Sequence, residues 1–486
     1  MNFPFKICMT SCEEEISEVK KRVNSFKNLL HEVRLDFISS LSSTLNFEWL
    51  NSPEIIATLR PVREGGKFEG SDEKRVEILC RAIDSGAGLV DIEFSTPEKL
   101  RKKIAEKASG KAKVILSYHD FSGNFEKLSK IVTAMEKEDG DIIKIAVRID
   151  DSAQIKPLLD VAKKIKKPKI ILGMGYGGIL SRIFPEKFGS FMTYVAQSEG
   201  RETAPLQLTL EKFLLYRNGR VKEPILLGII GNEGVLGSHG LRVYNTIFAE
   251  RKLNYTYVPV ITKSIKKVLP VLKSFGFLGV SVTMPHKTGA FKICNWTSKE
   301  TKLTGSVNTL KFYRGKIYGY NTDIIATIRI FNEIEQKKRN HGRKFRVAIV
   351  GAGGVARAVA AATYLRGWKA TIFNRTEAKA QELSRKFNMN WDSFENLEKK
   401  MGEFDILINC TSIGMDSSES ILNDFSSLKG KIVIDLVSHP PVTKLLEKAK
   451  MFNAKTISGV KFWCMQGKEQ MKILLSKNFA LDKYFK

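Results

Sequence analysis

The 486-residue sequence predicts an α/β chain in three parts: an N-terminal (β/α)8 TIM barrel, a small α/β domain and a Rossmann-type fold. Three observations carry that expectation. Eight short apolar runs alternate with charged helical stretches through roughly the first 200 residues, which is the arithmetic of the barrel. A polar segment containing Gly219 and Pro224 then interrupts the chain, and a new strand–helix alternation starts at Ile225. Further on, a β-branched run from Arg346 to Val350 ends in Gly351-Ala352-Gly353-Gly354 and enters an alanine-rich helix.

Composition bounds what the chain can be. Its length exceeds one ordinary core. No apolar run approaches the ~18 residues of a membrane span. A strand-like segment begins by Lys6, leaving no room for a signal or transit peptide. A cytoplasmic protein without a membrane partner is expected, with a plastid protein shorn of its transit peptide as the alternative. Six cysteines are scattered, and no Cys/His spacing suggests zinc, so a reduced compartment and no metal are expected. Cys8 and Cys12 are close in sequence, but a redox pair is the weaker reading. The net charge of +27 raises the question of nucleic acid. The lysines are spread through all segments and no recognition helix stands out, so the expected partners are anionic small molecules.

The barrel strands are read at Ile7-Met9, Glu32-Leu35, Ile55-Arg60, Leu89-Phe94, Lys113-Tyr118, Ile142-Val147, Lys169-Leu172 and Ser190-Val195. Helical stretches lie between them at residues 16–30, 73–85, 98–107 and 153–164. Several strands end in groups that chemistry wants: Glu32, Arg34 and Asp36; Arg60; His119 and Asp120; Arg148. In such barrels the C-terminal strand ends face the active site. Glu32, Arg34 and Asp36 alternate, so their side chains are expected to point one way. Lys144 sits inside an apolar strand. There it is expected to lose solvation, fall in pKa and become an amine nucleophile for a ketone. The competing reading is a lysine snorkelling from an edge.

This half resembles type I 3-dehydroquinate dehydratases over nearly all of its length. The matching segments are Glu32-Val33-Arg34-Leu35-Asp36, Arg60-x-x-x-Glu64-Gly65-Gly66, Ser117-Tyr118-His119-Asp120-Phe121 and Ile143-Lys144-Ile145-Ala146-Val147. Gly173-Met174-Gly175, Ser181-Arg182 and Ala204-Pro205-x-Gln207 follow in the right order. The resemblance implies that Lys144 forms an imine with the C3 ketone of 3-dehydroquinate. His119 would move the C2 proton to the departing C1 hydroxyl, and Glu64 would orient it. Glu32, Arg34, Arg60, Arg182, Thr203 and Gln207 would bind substrate, with Arg182 on its carboxylate. Thr203 and Leu206 stand where the family usually has Ser and Gly. His31 alternates to the other face from Glu32 and reads as structural.

The second half opens with a strand at Ile225, then helix 243–252, strand 256–260, helix 264–275 and strand 279–283. A basic segment, 335–344, connects this unit to the glycine-rich turn. Gly351-x-Gly353-x-x-Ala356 at a strand-to-helix turn offers a pyrophosphate free N–H groups and a positive dipole end. Gly351, Ala352, Gly353, Gly354, Val355 and Ala356 are the expected contacts. The second strand of this unit ends in Asn374-Arg375-Thr376, where an acid would take the ribose hydroxyl of NAD. Arg375 there favours NADP, through its 2′-phosphate.

Val282-Thr283-Met284-Pro285-His286-Lys287 places a lysine just beyond a strand, and Gly319-Tyr320-Asn321-Thr322-Asp323 places an aspartate at a helix start, by default an N-cap. With Ser306-Val307-Asn308-Thr309 between them, the set resembles shikimate dehydrogenases from Ile225 to the C-terminus, including Asn409-Cys-Thr-Ser-Ile-Gly-Met415 and a final helix from Gly459 to Gln466. The resemblance implies Lys287 and Asp323 as the catalytic pair at the C3 oxygen of 3-dehydroshikimate. Thr283, Asn308, Asn321 and Gln466 would hold the ring hydroxyls, and Ser238 the carboxylate. Thr411 and Gly459 would join the cofactor contacts. Two positions depart from the family: Gly240 replaces a second Ser, and Ser438 a Tyr. One carboxylate contact is lost or passes to His239, which opens the choice between shikimate and quinate.

The expectation is a bifunctional shikimate-pathway enzyme, monomeric or homodimeric. Its parts are a dehydratase barrel over 1–217, a linker over 218–224, a substrate domain over 225–335 completed by 459–486, and an NADP domain over 336–458. The alternatives are a quinate dehydrogenase in the second half, or a catalytically dead metabolite sensor lacking Lys144, His119, Lys287 or Asp323. All four residues are present.

Overall fold

The computed structural model describes residues 3–41, 46–204, 206–217, 224–336, 342, 344–415 and 417–485. Most of the expected linker (218–223), much of the basic connection (337–341 and 343) and Pro205 of the Ala204-Pro205 motif lie outside the described residues.

The first eight strands are β1 (Lys6–Thr10), β2 (Leu30–Arg34), β3 (Ser52–Thr58), β4 (Ala87–Glu93), β5 (Lys113–Asp120), β6 (Ile142–Arg148), β7 (Lys169–Met174) and β8 (Met192–Val195). Each falls on one of the apolar runs. They lie in the order β7-β6-β5-β4-β3-β2-β1-β8. A parallel bridge from Lys169 to Ser190 brings β7 back to the segment entering β8, so the barrel nearly closes. The helix expected over 16–30 ends at Ser25, because Leu30 already belongs to β2, where it pairs with Cys8. The helix Phe125–Met135 fills the interval between β5 and β6.

The barrel interior is layered by the two-residue period of its strands. Cys8, Leu30, Ile56, Leu89, Ile115, Ile142, Ile170 and Met192, one from each strand, pack together as an apolar floor. Two residues further along four of these strands the same inward positions carry Glu32, Asp91, Ser117 and Lys144, all buried. A charged layer thus lies on a hydrocarbon one, at the C-terminal side where barrel chemistry is placed.

The second sheet contains β9 (Ile225–Gly231), β10 (Tyr255–Ile261), β11 (Phe277–Val282), β12 (Trp296–Thr297), β13 (Thr309–Tyr313) and β14 (Lys316–Tyr320), in the order β10-β9-β11-β13-β14-β12. The third contains β15 (Arg346–Val350), β16 (Lys369–Asn374), β17 (Asn390–Ser393), β18 (Ile406–Asn409), β19 (Ile432–Asp435) and β20 (Lys455–Ile457). It is parallel throughout, in the order β17-β16-β15-β18-β19-β20. That order reverses at β15, next to β18, and the crevice at such a switch point is where dinucleotides bind.

By contacts the chain forms two compact units, Met1–Gly228 with Asn232–Phe277, and Ile229–Gly231 with Leu278–Lys486, so β9 is shared between them. Within the first unit, Ser152 Oγ accepts from the Ile261 N–H (3.1 Å) and Asp151 Oδ2 from the Lys263 N–H (2.8 Å). Within the second, the C-terminal helix Gly459–Leu475 is tied to the sheet by Ser281 Oγ donating to Gln470 (3.1 Å) and Lys311 Nζ donating to the Ile473 carbonyl (2.7 Å).

Candidate active sites

Lys144 projects from β6 into the charged layer. Its Nζ donates to Asp91 Oδ2 (2.9 Å) and Glu32 Oε1 (3.2 Å) and lies 4.5 Å from the centre of the Tyr194 ring. Desolvation is therefore not its whole environment, because two carboxylates meet it. Asp91 was hidden from the sequence argument inside an apolar run, Leu89-Val-Asp-Ile-Glu-Phe94; the alternation of its two acids was the available signal. The β5–β6 register puts Ser117 beside Lys144 and His119 beside Ala146, so Ser117 and His119 share the inward face with the lysine.

His119 Nδ1 lies 3.0 Å from Glu64 Oε2 and 3.5 Å from Arg60 Nη1. Burial and the neighbouring Arg60 push its imidazole down to about 4. It is neutral near pH 7, with Nδ1–H donated to Glu64. Burial raises the Glu64 carboxyl, but hydrogen bonds from His119 and Ser95 outweigh it and hold the group below its usual range. Burial and Arg22 likewise depress His31 to about 4, on the outer side of β2, where its Nδ1 is 3.0 Å from Arg22 Nη1.

A pH dependence of stability follows. Both imidazoles are neutral in the folded chain and protonate near 6.5 when it unfolds. Between about pH 6.5 and pH 4 the unfolded state binds more protons, so stability falls as pH falls through that window. Each unit of depression corresponds to about 1.4 kcal/mol for a fully coupled site. Denaturant midpoints of the barrel transition measured across this range should drop towards acid; a flat or rising trend would refute the assignment.

Arg60 is held inside the barrel. It donates to Glu93 (2.7 Å), Ser117 (3.0 Å) and Asp91 (3.1 Å). Burial pulls its guanidinium down, but Asp91 and Glu93 outweigh burial and hold it above the ordinary range. Arg34 pairs with both oxygens of Asp36 (2.8 and 2.7 Å). Asp36 sits in the turn Leu35–Phe37 rather than on β2, so it does not share the inward face of Glu32; it accepts instead from the backbone N–H groups of Arg60 and Lys67. Arg148 is exposed and pairs with Asp150, away from the interior.

Arg182, on the short helix Ile179–Ile183, is 2% exposed, and its Nε donates to the Gly173 carbonyl (3.2 Å). Burial alone lowers it to about 10, and no carboxylate among the described residues pairs with it. A buried guanidinium without an anion is a seat for one. Gln207 accepts from Thr203 N–H (2.9 Å) and hydroxyl (3.2 Å) and donates to Thr10 Oγ1 (3.0 Å). Leu206 between them has φ +57°, the left-handed conformation in which a glycine is unstrained, which accounts for the family's preference there.

In the second unit Lys287 Nζ donates to Asp323 Oδ2 (2.6 Å), and Asn308 Nδ2 donates to Asp323 Oδ1 (2.9 Å) and Thr322 Oγ1 (2.9 Å). Gln466 Oε1 accepts from Thr322 Oγ1 (3.1 Å). The N-cap of the helix Thr322–Glu335 is Asn321, not Asp323. Asn321 Oδ1 accepts from the N–H groups of Asp323 and Ile324, and its Nδ2 donates to the Ser306 carbonyl (2.9 Å) and Ser306 Oγ (2.9 Å). Its side chain thereby caps the helix and aims Asp323. Asp323 is left in the first helical turn, where the dipole favours its charge. Thr283 follows β11, and its N–H donates to the Ile230 carbonyl (2.9 Å). Ser238 lies in the first unit and caps the helix His239–Glu250.

The glycine turn fits a dinucleotide. Gly351 has φ +105°, and a Cβ there would stand 3.1 Å from Thr411 Cγ2. A Cβ on Gly353 would meet nothing within 4 Å, leaving its backbone open to a close ligand at the N-terminus of the helix Gly354–Leu365. Ala352 and Val355 are half-buried on the turn, while Ala356 is buried in the core. At the end of β16, Arg375 is exposed with no ion pair among the described residues, and Asn374 Nδ2 donates to the Thr376 carbonyl (2.8 Å). Thr411 Oγ1 is committed to Asn409 (2.7 Å). Gly459 serves packing, since a Cβ would stand 2.0 Å from the Val437 carbonyl oxygen. The two halves of this site touch through Gly354, where a Cβ would stand 2.8 Å from Lys287 Cδ.

Family models match along the chain: type I 3-dehydroquinase over residues 7–215, shikimate dehydrogenase substrate binding domain over 229–310, and shikimate / quinate 5-dehydrogenase over 333–457. The bifunctional 3-dehydroquinate dehydratase/shikimate dehydrogenase, chloroplastic, of Arabidopsis thaliana is 30% identical over 97% of this chain and 82% of its own. The shikimate biosynthesis protein AroDE of Chlamydia pneumoniae is 29% identical over 95% of this chain and 93% of its own. The shikimate dehydrogenase (NADP(+)) of Methanocaldococcus jannaschii is 35% identical over 54% of this chain and 98% of its own. With both halves matched in order, and a relative spanning nearly all of its length, the chain belongs to the bifunctional 3-dehydroquinate dehydratase/shikimate dehydrogenase family.

Proposed function

We propose that the chain catalyses two consecutive steps: dehydration of 3-dehydroquinate to 3-dehydroshikimate through a Schiff base at Lys144, then reduction of that product to shikimate with NADPH. The observation that carries the reading is a buried Lys144 amine and a neutral His119 on one barrel face, in the same chain as a Lys287–Asp323 pair laid against a dinucleotide turn.

In the barrel, the Lys144 amine attacks the C3 ketone. The resulting iminium acidifies the C2–H bond. His119, neutral and oriented by Glu64, takes that proton and returns it to the C1 hydroxyl, which leaves as water. The anion-free Arg182 receives the substrate carboxylate, and Glu32, Arg34, Arg60, Thr203 and Gln207 line the remainder.

In the second half, NADPH, when bound, supplies hydride to C3. Lys287 donates the proton to the C3 oxygen, and Asp323 holds the ammonium that stabilises the growing negative charge. Arg375 would meet the 2′-phosphate, and the open backbone at Gly353 the pyrophosphate. Gly354→Ala should push the Lys287 stem aside and lower dehydrogenase kcat by about 10²-fold, the scale of a misplacement near 1 Å. Dehydratase turnover of the same preparation is the internal control, and an unchanged dehydrogenase kcat would refute the contact.

The test is to supply 3-dehydroquinate and NADPH together and identify the product. Shikimate is expected. Quinate would mean that the second half reduces the first substrate. One observation favours that second reading: a Cβ on Gly240 would stand 3.0 Å from Tyr257 and 3.1 Å from Tyr244, so the family's second serine would crowd both rings here. All six cysteines are free, which supports a reducing compartment, and we place the protein in the cytoplasm. No helix among the described residues is long and apolar enough to cross a membrane.

A further inference from the structure

Buried charges in the barrel alternate in sign along an unbroken chain of contacts. Arg75 pairs with Glu93, Glu93 with Arg60 (2.7 Å), Arg60 with Asp91 (3.1 Å), Asp91 with Lys144 (2.9 Å) and Lys144 with Glu32 (3.2 Å). Asp91 is the centre of this chain and is fully buried. Its Oδ2 serves both Lys144 and Arg60, and its Oδ1 accepts from Ser117 Oγ at 2.6 Å. Lys144 on β6, Ser117 on β5 and Arg60 just past the end of β3 hold the carboxylate from three sides of the chain's path, so it cannot turn away from the Lys144 nitrogen. Burial raises the Asp91 carboxyl, but Arg60, Lys144 and Ser117 outweigh burial and keep it ionised.

Such an arrangement is matched to a nitrogen that is positive at both ends of the condensation and neutral only while its lone pair attacks the ketone. A lysine ammonium and a ketone give an iminium and water, and the two protons that nitrogen loses leave with the carbonyl oxygen. The charge at nitrogen is the same before and after. A fixed anion therefore suits both states, whereas a neutral imine beside it would leave the buried chain one positive charge short. Glu32 reaches the same nitrogen at the longer distance and also accepts from Thr58 (3.2 Å). We propose that Asp91 is the counter-ion of the Lys144 iminium, keeping that nitrogen protonated so that the C2–H bond stays acidic for His119. The proposal rests on the Schiff-base reading given above.

The test uses the full chain carrying Asp91→Asn. Its kcat for 3-dehydroquinate should fall by about 10²-fold near neutral pH with far less change in KM, the scale of losing one charge-stabilising partner. The residual activity should move to lower pH, because without the anion the iminium holds its proton only in more acidic solution. Glu32, Cys8, Tyr194, Arg60 and His119 are the other titratable groups around the nitrogen. All are retained, so the shift reports on Asp91. Ser117→Ala, which keeps every charge and removes the 2.6 Å bond to Asp91 together with the one Ser117 accepts from Arg60 (3.0 Å), should lower kcat by roughly tenfold. It supplies the answer if Asp91→Asn does not fold, as judged by near-UV circular dichroism. Borohydride added with substrate, followed by intact mass, tests the Schiff base separately from its counter-ion. If the parent chain forms no reduced adduct at Lys144, the Schiff-base reading falls and the proposal with it. If the parent forms the adduct while both variants keep parental kcat and an unshifted pH profile, the counter-ion role alone is overturned.

Discussion

Lys144→Ala should abolish dehydration of 3-dehydroquinate, lowering kcat by roughly 10⁴-fold or more, as loss of a covalent nucleophile does. The size of the effect comes from position. The amine is the only group of the charged layer able to condense with a ketone, and the apolar floor beneath offers no substitute. The variant also removes the cation shared by Asp91 and Glu32: Asp91 keeps Arg60, but Glu32 loses its ion pair, a loss worth about 3–5 kcal/mol when a buried pair is broken. Turnover must therefore be read on protein shown to be folded, and reduction of 3-dehydroshikimate by the same preparation provides the check. Dehydratase activity within tenfold of the parent would sink the Schiff-base assignment.

The second large effect is expected at Lys287 and Asp323. Lys287→Ala and Asp323→Asn should each lower NADPH oxidation with 3-dehydroshikimate by about 10²- to 10⁴-fold, the range for a positioned proton donor and its partner. NADPH affinity should hold in Asp323→Asn, because that carboxylate faces Lys287 and Asn308 rather than the glycine turn. Unchanged oxidation rates in either variant would remove the pair from the mechanism.

The fold was legible because the barrel strands are short, largely apolar and mostly separated by charged helices, and because the glycine turn stands between a strand and a helix. The contents of the barrel were less so. Lys144 is conspicuous as one charge among aliphatic neighbours, but Asp91 and Glu93 look like interruptions of a hydrophobic run until the strand is given an inside and an outside. Asn321 and Asp323 illustrate a different limit. Both can cap a helix, and only the geometry assigns the cap to Asn321 and leaves Asp323 for Lys287. The left-handed Leu206 and the crowding at Gly240 depend on φ and on neighbours distant in sequence, which no spacing rule encodes.

The hydrocarbon floor closes the barrel from below. With eight apolar side chains closing the lower end, traffic to Lys144 is confined to the upper mouth. Freeing the product from the lysine consumes a water molecule, and loss of the C1 hydroxyl has already released one beside it. The last event of each cycle thus runs on water made in place, and only the product and the surplus water need pass the single doorway.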